Sequence, residues 1–149
     1  MVRRTDDVLW GVARLLWAPS LVVAAALIVK GYVDVGDGFS AGVIVALAIA
    51  LRYVTIGTER AERGLPILRR SPAVATAGLL LALAVGFLPV AAGDPPFTHW
   101  PAPGDHVAKL GTLEFVTAVA FDIGVFLLVC GSLVTLVHHL ARLVEEAAE

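Results

Sequence analysis

The chain has 149 residues, of which 58% are hydrophobic and only 16% charged, with a formal net charge of −2. Soluble domains hold about 45–50% apolar and about 25% charged residues, so this composition argues against a soluble globular domain. The near-neutral charge excludes a basic nucleic-acid-binding chain, and a single cysteine, Cys130, excludes an intrachain disulfide.

The apolar residues fall in four runs, 8–29, 39–56, 72–90 and 113–137. Each is close to the roughly 20 residues that cross a bilayer as a helix. The expectation is an all-α membrane protein: a single membrane domain over residues 1–149 with four transmembrane helices.

The first run follows Arg3 and Arg4, as a signal peptide would. It is long for that role, and Val29-Lys-Gly-Tyr32 stands where a small-residue cleavage site would be, so a membrane helix is expected. Arg14, about two turns in, can snorkel to the interface. Trp10 and Trp17 suit an interfacial belt. Pro19 removes a backbone donor and crowds the carbonyl of Leu15, which favours a kink.

Between the first two runs, Gly31, Gly36, Gly38 and Gly42 mark a chain that turns tightly or approaches a neighbour closely. Asp37 is placed to cap the second helix, with Asp34 just outside. A calcium loop fails here, because Gly36 and Gly38 stand where further Asp or Asn ligands are needed. Gly38 and Gly42 form a G-x-x-x-G pair that lets two membrane helices meet closely. The second run ends at Arg52 and Tyr53. Glu59, Arg60, Glu62 and Arg63 then read as a short solvated loop.

Ser71-Pro72 is a good helix start. In the third run Gly78, Ala82 and Gly86 repeat at four-residue spacing, a small-residue stripe for packing. The connection 91–112 is expected to be an ordered outer loop that covers a neighbouring protein of the same assembly. It carries His99 and His106, but no third ligand is spaced to complete a metal centre.

The fourth run carries Glu114, Thr117 and Asp122. On one continuous helix Glu114 and Asp122 would be about 80° and about 12 Å apart, successive stations on a polar face with Asp122 the deeper. An Asp at the centre of a membrane helix costs roughly 2.5–3.5 kcal/mol, so it needs a partner, a water-filled cavity or an ion path. Two readings stay open: pairing with a Lys or His of a neighbouring protein in an assembly, or a station for an ion or proton. Cys130, buried among apolar residues, is expected to be inert. His138 and His139 suit a helix C-terminus.

Orientation follows from the basic residues. Arg3, Arg4, Arg14, Arg52, Arg60, Arg63, Arg69, Arg70 and Arg142 fall on one side of the expected topology, and Lys30 and Lys109 on the other. The positive-inside rule puts both termini in the cytoplasm.

Two segments carry a family resemblance. Gly31-Tyr-Val-Asp-Val-Gly-Asp-Gly-Phe-Ser-Ala-Gly-Val43 resembles the G-H-N-x-P-G-G-G-F-x-G-G-L signature of the MnhB/MrpB family, the B component of multisubunit Mrp-type Na+/H+ antiporters. Gly31, Gly36, Gly38, Phe39 and Gly42 match it; Tyr32, Val33, Val35, Asp37 and Ala41 depart from it. Thr117-Ala-Val-Ala-Phe-Asp-Ile-Gly-Val125 is similar to the family's T-x-x-x-F-D-x-G-V stretch and is the closer match.

The resemblance implies a four-helix component of a large complex that exchanges cytoplasmic Na+ for external H+, in a prokaryotic inner (plasma) membrane. Its implied partners are other membrane subunits of an Mrp-type antiporter or a complex-I-like assembly, the lipid bilayer, and Na+ and H+ as transported ions, with no nucleic acid and no cofactor. It maps the family's acid onto Asp122. The chain would have no catalytic activity of its own. A purely structural scaffold role is the alternative.

Overall fold

The computed structural model describes residues 2–30, 36–100, 109–110, 113–114 and 117–147, with side chains from residue 8 onward except at 109–110 and 113–114. Its helices are α1 (Val2–Lys30), α2 (Asp37–Ile56), α3 (Thr58–Gly64), α4 (Ser71–Ala91) and α5 (Thr117–Ala147), with a 3₁₀ turn at Pro66–Arg70 before α4. A two-residue antiparallel ladder pairs β1 (Lys109–Leu110) with β2 (Leu113–Glu114). Four helical stretches are long and apolar enough to cross a membrane, as the four hydrophobic runs predict. The chain is a multi-pass membrane protein.

The spanning helices stand in a row, α1–α2–α5–α4. α5 packs between α2 and α4, while α1 packs on the far side of α2 and touches α5 only briefly. Small residues make this possible. A Cβ on Gly78 would run into the α5 backbone at Leu128 and Gly124, and one on Gly124 would lie 2.8 Å from the Ala82 nitrogen. The G-x-x-x-G pair of α2 faces α5 as well: Gly38 lies against the Asp122 backbone and Gly42 against Phe126. In lipid, helices gain little from burying apolar surface, so close van der Waals contact of this kind holds them together. Thr135 adds a polar link, its hydroxyl hydrogen-bonded to that of Ser71 at 2.9 Å at the start of α4.

The fold departs from the sequence expectation in three places. α1 and α5 run past their apolar stretches, α5 to Ala147, because helix-forming Ala, Arg, Leu and Glu follow the span. Residues 58–64 form α3 rather than a solvated loop, and Glu62 is buried. α5 begins at Thr117, not 113, and Glu114 lies in β2, so Glu114 and Asp122 do not share a helix. The described part of the outer connection folds over its own chain: Phe97 N–H donates to Gly86 O at 2.7 Å, and its ring meets those of Phe87 and Phe121.

Candidate functional site

Asp122 lies in the second turn of α5, five residues from its start, or about 7.5 Å along the axis. It is therefore near one end of the bundle rather than at its middle. The side chain points at the start of α2. There Gly36, with φ 118° and ψ 1°, precedes the first helical residue and holds a left-handed conformation that favours glycine. Its N–H is shared between both carboxylate oxygens, 3.2 Å from each. Gly38, two residues on, brings the α2 backbone against that of Asp122, which closes the site from one side.

This arrangement explains how the chain tolerates a carboxyl group that is only 1% exposed. A hydrogen bond to a charged group contributes about 1.5–3 kcal/mol. The positive end of a helix dipole adds up to about 2 kcal/mol in a partly buried setting. Together these offset part of the cost of burying a carboxyl group in a membrane helix. Both contributions come from residues of this chain.

Asp37 does not cap α2. Its carboxylate takes Lys30 Nζ at 2.7 Å, tying the last residue of α1 to the first of α2. The acceptor at the start of α2 is Asp122, which lies 86 residues away. Gly36, Gly38 and Asp122 thus come together, with Gly42 one turn further along the same contact. Gly31 and Asp34 lie outside the described residues. Thr117 is engaged elsewhere: its Oγ1 accepts from Trp100 N–H at 2.8 Å, and its own N–H donates to Trp100 O at 3.0 Å. That pairing pins the outer connection to the first turn of α5. Glu114 lies in β2, outside α5.

A second polar cluster sits at the opposite end of the bundle. The Glu62 side chain, 1% exposed, accepts from Arg69 Nε at 2.9 Å. His138 Nδ1 lies 2.8 Å from Oε1, off the line of a directed hydrogen bond, and Arg142 Nη2 lies 4.0 Å from Oε2, the oxygen that Arg69 holds. The Tyr53 ring meets His138 edge-on at 6.4 Å. Sequence reasoning missed this cluster, since its members come from residues 53, 62, 69, 138 and 142 and share no local pattern. Among the described residues, no three potential metal-ligating side chains group together.

The profile of a family described as "Domain related to MnhB subunit of Na+/H+ antiporter" matches residues 8–135. The B component of the Na+/H+ antiporter of Alkalihalophilus pseudofirmus is 27% identical over 141 residues, covering 95% of this chain and 96% of that protein. Its counterpart in the Na+/H+ antiporter of Bacillus subtilis is 31% identical over 136 residues, covering 91% and 93%. A combined A/B component of a probable K+/H+ antiporter of Rhizobium meliloti is 32% identical over 133 residues, covering 88% of this chain and 13% of that longer protein. The family match runs from α1 into α5 and takes in both Gly36 and Asp122, and the chain belongs to the MnhB-related family.

Proposed function

We propose that this chain is the B component of a multisubunit monovalent cation/proton antiporter in a prokaryotic plasma membrane. Both termini and α3 face the cytoplasm, and Asp122 is a station on the ion or proton path in the outer half of the membrane. The observation that carries this reading is the state of Asp122. It is a buried carboxylate whose one hydrogen-bond donor among the described residues is the Gly36 N–H. A carboxylate has about four acceptor sites, so capacity remains for a cation or a proton. The antiporter components similar to this chain support the same reading. Glu114 and Thr117 belong to the approach to this station rather than to the station itself.

A second reading makes Asp122 a clamp that holds α2 to α5, as its bond to Gly36 favours. Asp122→Asn in the assembled complex separates the two. Asn keeps an oxygen that accepts from the Gly36 N–H but can neither ionise nor exchange a proton. The expected result is a loss of antiport of about tenfold or more, about 1.4 kcal/mol in barrier terms, with the composition of the complex unchanged. Unaltered transport in Asp122→Asn would leave only the clamp.

A further inference from the structure

We infer that α1 and α2 together form a binding site for the phosphodiester headgroup of an anionic phospholipid, at the end of the bundle that carries α3. The site is a cavity of about 240 Å³ lined by Trp10, Arg14, Trp17, Arg52 and Thr55, among others. Two guanidiniums border one cavity, although like charges repel. Each lies over an indole: Arg14 over Trp10 at 5.4 Å and Arg52 over Trp17 at 4.9 Å. Stacking of this kind fixes the orientation of a guanidinium but leaves its charge unneutralised.

Arg52 Nε is buried and has no hydrogen-bond partner among the described residues. The described carboxylates nearest in sequence are engaged elsewhere, Glu59 with Arg63 and Glu62 with Arg69. Two stacked cations and a buried unsatisfied N–H around one cavity call for an anion with several acceptor oxygens. Guanidinium groups match phosphate oxygens with paired, planar N–H bonds.

The position selects a lipid as the source of that phosphate. The cavity lies where α1 and α2 approach one membrane boundary, between two tryptophans of the kind that settle at headgroup level. Basic pockets between membrane helices at that level hold anionic headgroups. Leu15 and Leu47, on the bilayer side of Arg14 and Arg52, are 74% and 63% exposed, so apolar surface for acyl chains lies next to the charges.

The test is native mass spectrometry of the complex purified from membranes and exchanged into phosphatidylglycerol or phosphatidylcholine. The intact complex should retain one phosphatidylglycerol that the R14Q/R52Q complex loses, with retention falling about tenfold or more. R14K/R52K should retain it weakly, since charge survives without the planar fork. Equal retention of phosphatidylcholine by the unaltered complex would overturn the assignment. So would displacement of the lipid by millimolar inorganic phosphate, which would make free phosphate the ligand. Loss of a neighbouring protein from R14Q/R52Q with the lipid count unchanged would overturn it too, since a partner's carboxylate would then fill the cavity.

Discussion

Gly38 sits where a single methyl group decides whether the Asp122 site can form. A Cβ there would fall on the backbone carbonyl of Asp122, and backbone cannot rotate away as a long side chain can. Gly38→Ala should therefore force α2 off α5 and destabilise the protein by about 1–3 kcal/mol, the range for overpacking a close contact. Gly11→Ala is the control, because a Cβ there meets nothing within 4 Å. In a helix that change should be neutral or stabilising by about 0.5–1 kcal/mol. Thermal unfolding of the purified complex should show a lowered transition for the first variant alone; equal stability of both would contradict the close α2–α5 contact. The cost of Asp122 was legible in the sequence, as was the need for small residues at positions 38 and 42. The identity of its partner was not. Capping rules look a few residues along the chain, whereas this N–H and this carboxylate are brought together from different helices.

α3 is the element the sequence concealed. Thr58-Glu-Arg-Ala-Glu-Arg-Gly64 is too short to display a helical period, and its charges read as solvated. What fixes it is Ala61 in the core and Glu62 against α5, and the groups that receive Glu62 belong partly to the stretch of α5 beyond the apolar run. Glu62→Ala should release α3 while leaving the four spans in place. The expected loss is about 1–3 kcal/mol rather than the larger figure for a fully buried pair, because Arg69 is 63% exposed and regains water when its partner goes. Hydrogen exchange should quicken over residues 58–64 and stay unchanged in α2 and α5; unaltered protection of α3 would show that Ala61 alone anchors it. The late start of α5 has a similar origin. An apolar stretch with no clear period does not separate helix from strand, and the bonds between Thr117 and Trp100 set the boundary instead.

The whole molecule separates Asp122 and Glu62, the two buried acids among the described residues. Asp122 lies near one end of α5, and His138, beside Glu62, lies 16 residues further on, about 24 Å along the axis. Ala41, Val45, Ala46, Ile49 and Val134 occupy the core between them, and the close backbone contacts at Gly38 and Gly42 narrow the same interface. A hydrated cation cannot cross that interface without separating α2 from α5. Under the proposed function, a path that uses Asp122 would leave this interface and continue along a neighbouring protein, and the row-like arrangement of the helices leaves long apolar faces on which such a partner can pack. The row itself was not readable from the sequence, since helices apolar on nearly every side do not reveal which neighbour each prefers. The chain reconstituted alone in lipid vesicles should show no cation-driven proton movement by a pH-sensitive dye, while vesicles holding the full complex should. Exchange by the isolated chain would mean that the α2–α5 interface opens by itself, and that the apolar core between Asp122 and Glu62 is a gate and not a barrier.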